Sequence, residues 1–520
     1  MGGPPRYPAP MGIPGALVVP LQQWAPVHPA AVEHASQSPT PPAPASGRSA
    51  ALAAALAERN AAWGNPVEDE LQRWLAGAEV IVAGQQPGLL GGPLLTLIKA
   101  CAVAAEVRRR RAAGRDAAAF FWLATNDDDL PEMGWGRVVV GEELRTVREA
   151  AWQRGDAVAG AVQLGTAASQ LLTELEEQLP GERAREAVAV AARCYRPGVC
   201  LGEATGRFLA HLLRGLGVVL VDALEPALMV AARDALLRTL ARLPEAWERL
   251  GDGGKAMQGR GWPVPLAITV TRLPIFRLHG GRRERLAAPG GECPGALLAE
   301  VERYPQRFSP NVWLRPLLQD AALGTGVSLL GGAELAYHLQ AAALWELAGV
   351  APPIWRLRPH VTVVTGAERR LIRQLAVTPG DLLARRRPAR LRGGARIQRQ
   401  EAALMRQVEA RLTSLRETVE RELPALTADL EATAAKMTAA LDWLAHRTEL
   451  ARARSHDVEV QRWRRLVAFL RPDGQPQERR LSVLTPLLRL GLEWPTQLAE
   501  TLDPAAPGMH LMCWEEGGPW

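Results

Sequence analysis

Apolar residues follow two kinds of rhythm along the chain. Residues 80–83 (VIVA), 118–124 (AAFFWLA), 218–222 (VVLVD) and 326–330 (GVSLL) form short, nearly continuous apolar runs of strand length, and 353–364 reads as a further strand carrying two arginines. Such runs suit strands buried on both faces, whereas half-exposed strands alternate apolar with polar. Helical periodicity fills the intervals and predicts helices over residues 47–63, 67–76, 93–111, 167–177, 181–194, 201–213, 226–243 and 367–379, with another beginning near 334. Residues 136–162 read as short strands joined by turns, and 264–278 as β-hairpin material. Strands alternating with helices at this spacing predict a parallel sheet.

The pattern changes over residues 401–470. Val408, Leu412, Leu415 and Val419 recur in steps of four, three and four, and the repeat resumes at Leu430, Ala434, Met437, Leu441 and Leu444. A seam of this period is that of a coiled coil, and Pro424 interrupts it, so two long helices forming an antiparallel hairpin are expected. The hairpin carries more apolar edge than one pair of helices can cover, which predicts a homodimer. Residues 476–491 (PQERRLSVLTPLLRLG) return to helix, and residues 1–48 are a Pro/Ala/Gly-rich leader without sustained periodicity.

Two stretches carry candidate chemistry. Residues 80–100, VIVAGQQPGLLGGPLLTLIKA, run from a strand through Gly84, Gly88, Gly91 and Gly92 into a helix, with Pro93 fitting its first turn. A helix N-terminus there would gather N–H groups and dipole charge around a hollow suited to a phosphate or carboxylate. Gln85 and Gln86 add amides able to read a polar ligand. The alternative is a helix-entry turn whose small residues serve close packing. The strand at 118–124 ends in Thr125, Asn126, Asp127, Asp128 and Asp129. Carboxylates just past a strand's C-terminal end stand where open α/β sheets contact ligands, although an Asx-rich turn has the same composition. Three adjacent acids repel, so at most one or two are expected to point inward. Residues 307–347 repeat the strand-glycine-helix order through Gly331, Gly332 and Glu334, preceded by Asn311, Arg315, Gln319 and Asp320. Helical spacing would bring the last three of these together, with Pro316 in the first turn. Tyr337 and His338 follow, the histidine expected to be structural, and the strand at 353–364 carries Arg356 and Arg358.

Composition narrows the field. At 520 residues the chain exceeds one core, so roughly two to four domains are expected. Its five cysteines are scattered and none lies in a CxxC pair, which fits a reducing cytoplasm and offers no zinc-ligand spacing; no metal is expected. No apolar run reaches membrane-spanning length, so no membrane partner is expected. The net charge of +6 arises from 61 basic against 55 acidic residues, largely interleaved, so nucleic acid is not expected as a partner either. Only Lys99, Lys255 and Lys436 are lysines. In so arginine-rich a chain, Lys99 in the first glycine block invites a local reason, because an ammonium and a guanidinium are not interchangeable.

Taken together, VAGQQPGLLGGPLLTLIKA, FFWLATNDDDLPE, FSPNVWLRPLLQD, LLGGAELAYHLQ and QERRLSVLTPLL resemble, in order and spacing, the bacillithiol biosynthesis cysteine-adding enzymes. The resemblance spans residues 47–512, nearly everything beyond the leader. It implies an α/β fold: a Rossmann-like parallel-sheet core with inserted connecting segments and a C-terminal α-helical antiparallel coiled coil used for dimerisation. The corresponding division is 1–48 leader, 49–395 core with insertions at about 137–215 and 244–305, 396–471 hairpin, and 472–520 C-terminal helix and tail packing on the core. It also implies a cytoplasmic ligase joining L-cysteine to glucosaminyl malate, an amino-sugar malate conjugate. On this basis Asp127, Asp129 and Asn126 are the expected catalytic group. Gly84, Gln85, Gln86, Gly88, Gly92, Lys99, Asn311, Arg315, Gln319, Asp320, Gly331, Gly332, Glu334, Tyr337 and Arg358 are the expected substrate contacts. No cofactor is fixed, although a nucleotide (ATP or ADP) would suit carboxylate activation. Where the family usually reads Gly-Glu-Asp-His-Asp, this chain has Thr125 to Asp129, with Asn126 and Asp128 at the Glu and His positions. An imidazole is the usual side chain for moving a proton near neutral pH. Two other functions therefore stand beside the first: a diverged ligase acting on another amino-sugar or small acid, and a non-catalytic dimeric binding homologue.

Overall fold

The computed structural model describes residues 16–19, 48–140, 143–179, 181–375, 377, 395–452, 458–506 and 508–514. Most of the 1–48 leader lies outside them. The chain forms two compact units, one from residues 1–138, 145–362 and 481–520, the other from 139–144 and 363–480.

The first unit is built on a five-stranded sheet. Its strands are β1 (Glu79–Gln85), β2 (Ala117–Leu123), β3 (Val218–Asp222), β7 (Thr325–Leu330) and β8 (Ile354–Leu357). They lie in the spatial order β8-β7-β1-β2-β3, every neighbouring pair parallel. All residues of β2, β3 and β7 are buried, which accounts for their unbroken apolar runs. Val80, Val82, Phe120, Trp122, Val219 and Val221 belong to one buried cluster with Leu52, Leu56, Trp74, Leu317 and Trp345. From β1 the chain builds outward through β2 and β3, then returns to add β7 and β8 on the other side. The gap between β1 and β7 is thus the topological switch point, whose carboxyl edge is where such sheets hold ligands.

An inserted three-stranded sheet pairs β4 (Arg272–His279) antiparallel with both β5 (Arg282–Ala287) and β6 (Phe308–Pro310). The helices that matter to the site are α1 (Leu95–Ala112), α2 (Leu314–Leu323) and α3 (Gly332–Gln340).

The structure departs from the sequence expectations at several points, each traceable to a residue. The helix expected over 226–243 is three helices, Pro226–Ala231, Arg233–Ala241 and Leu243–Gly259. Pro244 opens the third and cannot extend the hydrogen bonding of the one before it. That third helix runs on through Gly253, where a Cβ would lie 2.1 Å from the Gln340 carbonyl oxygen; the glycine permits close packing against α3. The strand expected over 353–364 is split into β8 and His360–Thr365, with Arg358 and Pro359 between, since proline breaks a ladder. Of the hairpin material at 264–278 only residues from Arg272 pair, and Pro263 and Pro265 precede them.

The second unit contains the long helices Ala395–Glu422 and Thr427–Arg452, joined through a short turn at Pro424–Leu426, and a third helix, Val458–Leu470. An Arg416–Glu431 ion pair of 2.8 Å crosses between the first two. No residue from 401 to 448 is buried, and Trp443 is 60% and Leu423 56% exposed. No helix among the described residues is long and apolar enough to cross a membrane.

Candidate active site

The site assembles at the switch point from the C-terminal ends of β1, β2 and β7. Its centre is Lys99, on α1 and 3% exposed. The Lys99 ammonium donates to the Gly84 carbonyl at 2.7 Å, Gln85 Oε1 at 2.9 Å and Glu334 Oε2 at 2.7 Å. An ammonium has three donors, so all of them are committed within the protein. This is the local reason for lysine: three acceptors converge on one point, which a planar guanidinium would not satisfy. Lys99 thereby clamps β1, α1 and α3 together across the switch point and presents Gln85 and Glu334 rather than contacting a ligand itself.

Glu334 sits in the first turn of α3, where its Oε2 also accepts the Gly331 N–H at 2.7 Å. Burial works to raise its carboxyl, but the Lys99 ammonium and the Gly331 N–H prevail and bring it down to about 2. Burial lowers the Lys99 ammonium, against the opposing pull of Glu334. Helix-terminal N–H groups and dipole reinforce the anionic state of Glu334.

Behind this pair, α2 brings Arg315, Gln319 and Asp320 together as their spacing predicts. Arg315 donates to Gln319 Oε1 at 3.2 Å and to the Tyr337 hydroxyl at 3.1 Å. Gln319 reaches Asp320 at 3.4 Å, and the Trp345 indole donates to Asp320 at 2.9 Å. Burial pushes the Asp320 carboxyl up to about 7. His338 is structural: its Nδ1 meets the Glu334 carbonyl at 2.7 Å, its ring packs against Tyr337, Trp345 and Trp355, and burial lowers it to about 4. Arg358 is buried just past β8, with Nη1 on the Pro359 carbonyl at 2.8 Å. Asn311 opens α2 by accepting the Leu314 N–H at 3.1 Å.

The acidic turn forms the other wall. Gln86 Nε2 donates to Asp127 Oδ2 at 2.8 Å, joining the two sequence motifs directly. The other Asp127 oxygen accepts the N–H groups of Asp128 at 2.7 Å and Asp129 at 3.2 Å, an Asx turn. Asp127, Asp128 and Asp129 are all partly exposed, and each faces an arginine. Arg283 lies 3.8 Å from Asp127 and 3.5 Å from Asp128, while Arg154 pairs with Asp129. The repulsion expected of three adjacent acids is thus met by cations and partial solvation. Asn126, expected in the catalytic group, is 2% exposed and donates to Ser309 Oγ at 2.9 Å, holding the turn to β6 instead. Beside Gln86, Glu132 is raised by burial and by the neighbouring Asp129.

The glycine turn does not form the N–H-lined hollow that its sequence suggested. Gly88 N–H donates to Thr205 Oγ1 at 3.2 Å, Gly91 N–H to Tyr195 Oη at 2.7 Å, Gly92 N–H to the Leu89 carbonyl at 3.0 Å and Leu94 N–H to the Leu481 carbonyl at 2.7 Å. Pro93 stands just outside α1, bridged to Ser482, rather than within the first turn. The packing alternative therefore describes this turn: a Cβ on Gly88 would come within 2.6 Å of Gly92 Cα. With these donors already used, Gly88 and Gly92 shape the turn and provide no phosphate cradle for a nucleotide.

Sequence reasoning missed Arg283, Ser309, Tyr195 and Thr205. Tyr195 had one faint signal, being among four tyrosines in the chain. Arg283 reaches the acidic turn from the inserted sheet and had no local signal for this, because its partners there lie 155 residues away or more.

The family model described as bacillithiol biosynthesis BshC, N-terminal Rossmann-like domain, matches residues 33–359, and the C-terminal coiled-coil domain of the same family matches 361–514. Proteins called "Putative cysteine ligase BshC" are similar along much of the chain. That of Chlorobaculum tepidum is 28% identical over 469 residues, 83% of this chain and 82% of that protein. That of Koribacter versatilis is 30% identical over 301 residues, 55% of each chain. That of Shouchella clausii is 27% identical over 462 residues, 84% of each. A parallel sheet followed by a helical hairpin agrees with those two domain descriptions, and the chain belongs to the bacillithiol biosynthesis BshC family.

Proposed function

We propose that this protein is a cytoplasmic ligase that forms an amide bond between the carboxyl group of L-cysteine and the amino group of glucosaminyl malate, acting as a homodimer. The supporting observation is the meeting of Gln86 with Asp127 at the carboxyl edge of the sheet, beside the Lys99–Glu334 clamp. Asp127 is a part-exposed carboxylate whose orientation is fixed by Gln86 and by two backbone N–H groups.

In this reaction the amine nitrogen attacks the carbonyl carbon of an activated cysteine carboxyl. A C–N bond forms, the C–O bond to the activating group breaks, and the nitrogen loses a proton. Asp127 is positioned to hold the acceptor's amino group and to take the proton that its nitrogen loses as the C–N bond forms. Asp129 is already paired with Arg154 and serves to shape the turn. Arg315, fixed by Gln319 and Tyr337, supplies the positive charge facing a substrate carboxylate. Activation needs a co-reactant, and a nucleoside triphosphate is the chemical class to supply it.

The exposed apolar residues of the helical hairpin, Leu415, Leu423, Trp443 and Leu444 among them, support the homodimer. The test is incubation of the purified protein with cysteine, glucosaminyl malate and ATP, with the thiol product read by mass. A product from a different acid-bearing amino-sugar alone would favour the diverged ligase. Binding without turnover would favour the non-catalytic homologue.

A further inference from the structure

A cleft in the inserted sheet shares only Asn311 with the site described above. Its walls are Trp247, Phe276 and Trp313, and its polar lining includes Arg272, Arg285 and Asn311. It holds about 570 Å³ of space, part of it open to solvent.

Apart from the Thr269 hydroxyl, which can donate or accept, the polar side chains of this lining offer donors. Arg272 and Arg285 are exposed, and neither side chain has a hydrogen bond or ion pair among the described residues. Nearby arginines differ: Arg277 pairs with Glu300 at 2.6 Å, and Arg283 with Ser309 and the acidic turn. The Asn311 side-chain oxygen accepts the Leu314 N–H, so its amide N–H groups are what remain to offer. The Trp313 indole N–H likewise has no acceptor among the described residues. Two guanidinium groups, an amide and an indole are all donors. The ligand they suit is rich in acceptor oxygens and anionic, and the edge-to-face pair of Trp247 and Trp313, 5.5 Å apart, adds an apolar wall for a ring.

The cleft also adjoins the acidic turn. Phe276 and Arg285 are directly paired across β4 and β5. The Arg283 guanidinium lies 4.9 Å from the Phe276 ring centroid while reaching Asp127 and Asp128. The Phe276 ring and the Arg283 guanidinium thus stand between the donor-lined cleft and the carboxylate proposed as base.

We propose that this cleft is a binding subsite for the acidic end of the amino-sugar acceptor, with Arg272 and Arg285 pairing its carboxylates and the tryptophan wall lying against its ring. The assignment rests on the ligase reading for the choice of ligand. It does not rest on turnover for its test. Bound in this way, the acceptor directs its amine past Phe276 towards Asp127. Arg272 and Arg285 fix the acidic end and so determine acceptor specificity.

The experiment is equilibrium calorimetry on the full-length protein with glucosaminyl malate, glucosamine, L-malate and ATP as separate probes. Wild type is compared with Arg272→Gln, Arg285→Gln, Trp313→Phe and, as a control remote from the cleft, Arg233→Gln. Wild type is expected to bind glucosaminyl malate more tightly than glucosamine. Each cleft arginine variant should lose at least about tenfold in that affinity, as for a charge-assisted contact, with glucosamine binding and the control unchanged. Unchanged affinity in both arginine variants overturns the inference, as does a wild type that binds no glucosaminyl malate. Binding of ATP instead of the sugar acid, lost in the same variants, overturns it in favour of a nucleotide. A wild type that binds with the expected arginine dependence but forms no product supports the subsite and contradicts the ligase reading alone.

Discussion

At the scale of single residues, Lys99 and Asp320 show how burial can be tolerated in opposite ways. Lys99 keeps its charge because three acceptors, one of them the Glu334 carboxylate, replace its water. Replacing one member of such a pair strands the other in a low-dielectric interior. Lys99→Met should therefore destabilise the protein by about 3–5 kcal/mol, read as a lowered urea midpoint. Asp320 has only neutral donors within hydrogen-bond reach and responds by holding its proton, with its carboxyl moved from 3.8 to about 7. In the folded state this group keeps a proton that the unfolded chain loses near pH 4. Its contribution to stability is thus complete below about pH 4 and is lost as pH rises to about 7. Asp320→Asn keeps an acceptor for Trp345 and cannot ionise. Its stability, measured from pH 4 to 8, should lack a decline of about 2–4 kcal/mol seen in the parent; parallel curves would refute this.

At the scale of elements, the glycine turn after β1 is held by side chains distant in sequence. The Tyr195 hydroxyl donates to the Gly88 carbonyl at 3.0 Å and accepts the Gly91 N–H at 2.7 Å. Tyr195→Phe should cost about 1–3 kcal/mol, since it leaves the buried Gly91 N–H without a partner and the Gly88 carbonyl with Thr205 alone; an unaltered denaturation midpoint would count against the role assigned here. The same turn shows what could be read in the sequence. Strand, turn and helix were all legible from apolar rhythm and punctuation, as was the clustering of Arg315, Gln319 and Asp320 from helical spacing. Whether the turn's N–H groups faced a ligand was not legible, because the answer depends on Tyr195, Thr205 and Leu481. The family resemblance puts Asn126 in the catalytic group, at the motif's Glu position, but Ser309, 183 residues on, holds it. Local pattern determines which groups are available, and tertiary contacts determine which of them are already engaged.

At the scale of the whole molecule, the order of strands explains why widely separated motifs make one site. β1 and β7 are neighbours in space, and the chain between them includes the other wall. Arg283 extends that logic to the inserted sheet by tying it to the acidic turn. The helical hairpin has a different task, because its apolar residues remain uncovered in a single chain. Sedimentation equilibrium should give twice the 56.2 kDa chain mass, and the double variant Leu423→Glu, Trp443→Glu should be a folded monomer. A parent protein that sediments as a monomer would contradict the dimer.

The proposed ligase reaction turns on Asp127 as the base at the switch point. The most direct measurement compares wild type and Asp127→Asn for thiol product formed from cysteine, glucosaminyl malate and ATP, with matched circular dichroism establishing that both are folded. Product is expected from wild type, with a rate reduced by about 10²–10⁴ in the variant. No product from folded wild type with any nucleoside triphosphate, or an undiminished rate in Asp127→Asn, would contradict that proposal.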